Sequence, residues 1–532
     1  MALSSLVSRI TPNILLFLSL INFNSATAKN NEQTLIMMGS AIETCTTLSP
    51  QFCKLDAPLR DEKSALYVLS TDSIELIKKD WPTVNKSHLT ATVTNLNTLL
   101  KTHQTLLSKR ELLWAWRDIA SQQMSELTQL EFDYVIDMLQ VAQPDGQGRV
   151  LNIDLKNSKT DQLWLDDSYK FIAASLKVKA KTPKLLVISA TSRDPYFTAS
   201  YYETVLSQIG VAVEWLALTP ALATALTQGQ CGQLEQFRHK HMGLFNRKTV
   251  FPKRVNTERR LCEQGVESLI EKINNSTGIV LAGNNSNTHN LSASFYNPDG
   301  KAYPWTSAVR DAPVLIAENK NAEFVAIQHI ENKPQSAADV LKNKHVDTKP
   351  GIESVEYAFI KSQFSETNSL ALLATALDTT NQHVGLGIDA NTSLVVIKSN
   401  EGDVLTVLGE RGVIGLTLEQ AQPYRYSYWP SGSVFNYNKQ GFSLNKRSAE
   451  NALPNIKIPS LPMQRFNNIL TDNKLRSLTQ ALCLSQDTTA VGQQGAFLVS
   501  LNATDETSYK RINASRYGCA IEQLALKFSE IN

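Results

Sequence analysis

The alternation of short, wholly apolar runs with helix-period segments predicts an α/β fold: a doubly wound, mostly parallel sheet with a helical insertion and a small C-terminal extension. Three observations carry it. Val314-Leu315-Ile316-Ala317 is too short for a helix and apolar on both faces, as a buried strand of a parallel sheet has to be. Lys184 to Ser192 and Thr277 to Gly283 repeat the pattern, the first ending in small hydroxyl residues and the second at a glycine. Helix-like segments separate such runs, for example Ala199 to Gly210, which stops at a glycine cap.

A chain of 532 residues can bury a large core and build more than one domain. Its 42% apolar and 19% charged residues are those of an ordinary globular protein, and a net charge of +2 gives no reason to invoke nucleic acid or an anionic membrane. Residues 1–28 have the layout of an export signal. Arg9 precedes the apolar core Ile14 to Ile21, and Ala26-Thr27-Ala28 offers a small-residue cleavage site. The apolar core is short for a bilayer span, and no later segment is long and apolar enough. The expectation is a periplasmic or extracellular protein that is free of the membrane once the signal is removed.

The cysteines agree with an oxidising compartment. Cys45 and Cys53, Cys231 and Cys262, and Cys483 and Cys519 form three pairs close in sequence, and nearest-neighbour disulfides would staple three local loops. No Cys-x-x-Cys spacing or histidine pair accompanies them, so neither a metal nor another cofactor is expected. His329, His345 and His383 follow no ligand spacing.

Taken in order, Thr34 to Met38 reads as a first buried strand entering a tight loop at Gly39. From about Asp61 to Gln143 the period is helical, in Leu96, Leu99 and Leu100 and again in Leu130, Phe132, Val135 and Leu139. The Leu112–Trp116 island within it is read as core packing, with a partner groove as the other possibility. Pro144 to Gly148 closes this block. Lys184 to Ser192, its helix and Val211 to Leu216 resume the α/β pattern. The basic stretch between Cys231 and Cys262 is expected to be a solvated, disulfide-closed excursion, with an anion-binding loop as the other possibility, and Thr277 to Gly283 the next buried strand. Val384 to Val396 gives a strand, a polar turn and a second strand, and Val404 to Leu416 extends the β-rich part. From Pro423 an aromatic, proline-containing run is expected to leave the α/β region. The domain boundaries read 1–28 for the signal, 29–60 with 150–422 for the α/β domain, 61–149 for the insertion and 423–532 for the extension.

After Val314 to Ala317 comes a sharp polar turn, Glu318 to Asn321, and then a helix-tolerant segment. Strand, turn and helix in that order form the elbow on which many hydrolases hold a nucleophile. Here its tip reads Asn319-Lys320-Asn321, with a lysine where the nucleophile would stand.

Four stretches in matching order resemble the cyanophycinase and dipeptidase E family of serine peptidases, which has a class I glutamine-amidotransferase-like fold. Gly385-Leu386-Gly387-Ile388-Asp389-Ala390-Asn391-Thr392-Ser393 is similar to the family's Gly-x-Gly-Ile-Asp-Glu-x-Thr-Ala. Phe364 to Leu373 resembles the helix that follows the family's Asp-Gln-His. Ile188 to Ser192 resembles its Pro-Thr-Ala-Ser-Ser turn, and Ala282-Gly283-Asn284-Asn285 stands where the family has Gly-Gly-Asp-Gln. The resemblance covers about residues 32–48 and 168–420 and stops short of the chemistry. It puts Lys320 on the family's nucleophilic serine and Gln363 on its general-base histidine; the basic residues of the family's helix become Thr367, Ser369 and Leu372. A serine triad needs a hydroxyl, an imidazole and an orienting carboxylate, and glutamine accepts no proton near neutral pH.

The expectation is therefore a catalytically inactive relative with no catalytic residue. Its old cleft, around Ser189, Thr191, Ser192, Gly283, Asn284, Asn285, Asn319, Lys320 and Asn321, would still take a peptide or amino-acid-like ligand. Two alternatives stand beside it: an active serine-type hydrolase of acidic or β-aspartyl peptides with a rearranged site, through Ser307 or another nucleophile, and a scaffold that binds a protein through the insertion. A desolvated Lys320 acting as a reactive amine is a further chemical possibility.

Overall fold

The strand Val314–Glu318 pairs in parallel with Thr34–Met38 on one side and Gly278–Leu281 on the other. All five of its residues are buried, as a run apolar on both faces requires when helices cover both sides of a sheet. The structure is a computed structural model that describes residues 32–45, 52–54, 66–102, 106–141, 160–283, 288–331, 335–418, 423–454, 456, 458–459, 466–514 and 518–531. The expected signal segment and the Pro144–Gly148 breaker lie outside the described residues.

The protein is a mixed α/β fold built on two large sheets. The first runs Gly441–Leu444, Val434–Asn438, Asp403–Gly409, Thr392–Ile397, Thr34–Met38, Val314–Glu318, Gly278–Leu281, Lys184–Ile188, Ala212–Trp215. The five strands from Thr34–Met38 to Ala212–Trp215 are parallel; the four on the other side of Thr34–Met38 are antiparallel. The sheet is thus parallel in one half only, which corrects "mostly parallel". Residues 398–402 give a link short enough for a hairpin between Thr392–Ile397 and Asp403–Gly409, whereas a parallel pair needs a crossover of a dozen or more residues.

The second sheet begins with Phe359–Ser362 and Val384–Ile388 and continues through Gly412–Thr417, Tyr424–Pro430 and Gly518–Glu530 to the C-terminal strands. The aromatic run after Pro423 does not leave the fold. Tyr424, Tyr426 and Tyr428 pack into the core of this sheet, while Trp429 lies in the core of the first. Residues 423–532, read as an extension, supply strands to both sheets. Two of the chain's passages between the sheets run side by side, through the turns at Asp389–Asn391 and Glu410–Arg411. These turns are tied by the bonds Glu410 N to Asn391 O (2.8 Å) and Asp389 N to Gly412 O (3.1 Å).

Helices Thr71–Lys79, Lys86–Thr102, Lys109–Glu126 and Gln129–Leu139 enclose their own core around Trp116 and Tyr134. Ser70, Ser108 and Thr128 cap three of them through capping boxes, which fixes where each begins. Leu112 and Trp116 face that core, while Trp114 is exposed beneath Arg110. Asp137 anchors the block to the sheet: it accepts two bonds from Arg193 (3.0 and 2.8 Å), one from the backbone of Phe245 (3.0 Å), and pairs with the buried Arg247. The basic stretch between Cys231 and Cys262 is correspondingly not a solvated excursion. Arg247 is buried on Asp137 and Asp194, and Arg238 on Glu258 at 2.7 Å. The helix expected from Ala199 begins earlier, at Pro195, because Asp194 caps the amides of Tyr196 and Phe197.

All six cysteines are paired, as Cys45–Cys53, Cys231–Cys262 and Cys483–Cys519. No helix among the described residues is long and apolar enough to cross a membrane.

Candidate functional site

The elbow forms where the sequence places it, with its tip one residue earlier. Asn319, not Lys320, occupies the strained turn at φ +51° and ψ −125°, between the strand and the short helix Lys320–Phe324. Its amide donates to Met38 O (2.8 Å) and its carbonyl accepts from Ala322 N (3.0 Å), which holds the turn from both sides. A positive φ is least costly for Gly, Asn and Asp, so asparagine fits the backbone as it fails the chemistry.

Lys320 is not a free amine. Its Nζ lies 2.8 Å from Glu323 Oε1, the same oxygen that Lys361 Nζ reaches at 2.9 Å and Ser362 Oγ at 2.7 Å. Burial alone would raise the Glu323 carboxyl, but Lys361 and Lys320 outweigh it and hold it down to about 2. Burial in turn pulls Lys361 down to about 8, against the attraction of Glu323. Ser362 brings a hydroxyl to 3.5 Å from Asn319 Oδ1, yet it is buried and donates to Glu323. A carboxylate with so low a pKa is a poor general base for it.

Glu318, the last residue of the central strand, turns its carboxylate inward. It is fully buried and accepts bonds from the amides of Gly283 (2.7 Å) and Ile42 (2.5 Å) and from the Tyr202 hydroxyl. Burial raises it to about 7 in spite of these donors. One side chain thus ties the end of its own strand to the loops after both neighbouring strands and to the helix Pro195–Ser207. Gly283 has φ +129°, and a Cβ there would stand 2.4 Å from Thr191 Oγ1, so the close approach of these loops requires glycine.

The expected cleft residues come together, but around their own side chains. Asn321 is buried and its amide faces Glu318 O (3.2 Å), Gly283 O (3.3 Å) and Thr191 Oγ1 (3.4 Å). Thr191 donates to Ala282 O (3.1 Å); Ser189 donates to Pro195 O (3.0 Å) and accepts from Trp215 Nε1 (3.2 Å). Ser192 is buried beside them. Asn284 and Asn285 lie outside the described residues. Gln363 follows Ser362 in a left-handed conformation and carries no group that titrates. Ser307 is an exposed residue of the helix Trp305–Arg310 and bonds only to its own turn. His329 is buried against Phe324, whereas His345 and His383 are exposed, and no group of three or more His, Cys, Asp or Glu among the described residues is arranged to hold a metal.

Sequence reading missed the partners that lock this site. Glu318 closing an apolar strand was a visible signal, since a charge at the end of a wholly buried run needs partners. Lys361 and Glu323, far apart in sequence, gave none.

Comparison with protein-family models gives no match, and comparison with curated proteins gives none either. Among solved structures the chain is similar to one titled "Crystal structure of a peptidase from an acI-B1 Actinobacterium", at 13% identity and a TM-score of 0.33, over 52% of this chain and 92% of that one.

Proposed function

We propose that this protein is an exported, cyanophycinase-like protein whose elbow is catalytically silent and whose remaining role is to bind a small peptide or amino-acid-like molecule. The observation that carries the reading is the turn itself. Its strained position holds Asn319, and the lysine beside it is fixed on Glu323 at 2.8 Å. Acyl transfer needs a nucleophile, a base within reach and donors aimed at an oxyanion. Asn319 supplies no nucleophile, Gln363 no base, and the amides of Gly283 and Ile42 already donate to Glu318. The three disulfides support export, because such bonds persist in oxidising compartments.

The test is incubation of the oxidised protein with a serine-reactive fluorophosphonate probe and a panel of acidic and β-aspartyl dipeptides, with adducts located by mass spectrometry. Neither labelling nor turnover is expected, and the Asn319→Ser variant is expected to stay inactive for want of a base. A stoichiometric adduct on one serine of the unmodified chain, with turnover, would establish the hydrolase instead.

A further inference from the structure

The paired crossing between the two sheets carries a second polar cluster, away from the elbow network. Arg411 lies in one of the crossing turns and Arg476 on the helix Lys474–Ser485; both donate Nη1 to Glu366 Oε1, Arg476 at 2.8 Å. Arg476 Nη1 also reaches Asp389 Oδ2 at 3.1 Å, and Glu366 Oε2 accepts from Ala390 N at 2.8 Å. Two acidic side chains thus hold one nitrogen of each arginine. The other guanidinium nitrogens of both have no protein acceptor among the described residues.

A cleft of about 280 Å³ opens here, lined among others by Glu410, Arg411, Tyr428, Ser431, Arg476 and Ser477. It falls just below the ~300–1,000 Å³ of typical small-molecule pockets. Tyr428 supplies an independent sign. Only 3% of it is exposed, yet its hydroxyl has no protein partner among the described residues. Tyr424 and Tyr426, on the same face of the strand, bond to Asp378 (2.6 Å) and Thr479 (3.2 Å). The Tyr428 hydroxyl is not among the fully enclosed polar atoms that lack a partner, which leaves it open on the side of the cleft that Tyr428 lines.

We propose that this cleft is a binding site for a compact carboxylate the size of an amino acid or dipeptide, held by the open guanidinium edges of Arg411 and Arg476 and by the Tyr428 hydroxyl. A planar guanidinium edge matches a carboxylate in two bonds. Glu366 and Asp389 offset the two positive charges and Glu410, bonded to Asn391, adds a negative one on the wall, so a singly charged carboxylate meets less repulsion than a doubly charged phosphate. The inference locates the ligand role proposed above and rests on it; it does not depend on the elbow being silent.

The experiment is isothermal titration calorimetry of the full, oxidised protein with glycylglycine, with glycylglycinamide, whose carboxylate is capped, and with inorganic phosphate. Glycylglycine is expected to bind, and the amide and phosphate at least tenfold more weakly. Arg411→Gln is expected to weaken glycylglycine about tenfold or more, the effect of losing a charge-assisted bond, and Tyr428→Phe by about threefold to tenfold at an unchanged melting temperature. Equal binding of the amide, or tighter binding of phosphate, would overturn the ligand class. Glycylglycine binding that Arg411→Gln and Tyr428→Phe leave intact would remove the site but keep the ligand role, and no binding at all would remove both. A fluorophosphonate adduct would end the silent-elbow reading without touching this one.

Discussion

Glu318 shows how one residue sets both the geometry and the pH response of the elbow. Its carboxyl is buried among donors from two loops and a tyrosine, and its pKa stands at about 7, raised from 4.5 chiefly by burial. A raised folded-state pKa means that the native state holds the proton more tightly than the unfolded chain. The contribution is fully present below about pH 4.5 and is lost as pH rises through about 7, an effect of about 3 kcal/mol. Glu318→Gln resembles the protonated form and does not titrate. Relative to the unmodified protein it is expected to gain stability between pH 5 and pH 8, read from urea midpoints at each pH. A constant difference across that range would show that Glu318 is ionised throughout.

At the scale of elements, the short helix after the elbow is bolted to the strand Phe359–Ser362 by Glu323, Lys320 and Lys361. A buried charge that loses a partner costs more than the pair contributes, because the survivor stays desolvated. Lys361→Met is expected to destabilise the protein by about 3–5 kcal/mol, since the buried Glu323 would keep Lys320 and the Ser362 donors but lose one of its two cations. Lys361→Met with Glu323→Gln is expected to recover much of that loss. Thermal or urea unfolding of the two variants checks it, and a double variant no better than the single one would mean that packing rather than charge holds the contact. Gly39 acts at the same scale. A Cβ there would lie 2.1 Å from Asp389 O, so the loop after the first strand sits directly against the turn that joins the sheets. The elbow and the arginine cleft are thereby built on neighbouring strand ends.

For the molecule as a whole, the C-terminal residues complete the fold. Gly518–Glu530 pairs with Tyr424–Pro430 and Phe497–Asn502, and Cys483–Cys519 ties that strand to the helix that carries Arg476. Removing the bond by Cys483→Ala with Cys519→Ala is expected to cost about 2–5 kcal/mol. Because the helix and strand meet at the cleft, glycylglycine affinity is expected to fall with it, measured by calorimetry below the melting temperature. Unchanged stability and affinity would place the disulfide outside the structural unit of the cleft.

How much of this was legible follows from the range of each interaction. The buried strands at Thr34, Lys184, Gly278 and Val314 could be read directly, because burial on both faces leaves a local, wholly apolar run. So could the strand, polar turn and helix of the elbow and the helical character of the block before Gln143, since turn chemistry and helical period act over a few residues. The antiparallel half of the first sheet, the integration of residues 423–532 and the position of Asn319 at the tip were not legible. Strand partners and backbone torsions are chosen by the whole packed chain. The same holds for the Glu323–Lys361 lock and for the cleft of Arg411, Tyr428 and Arg476. Their members stand far apart in sequence on elements with no shared local pattern, and only the crossing of two sheets gives them a common surface.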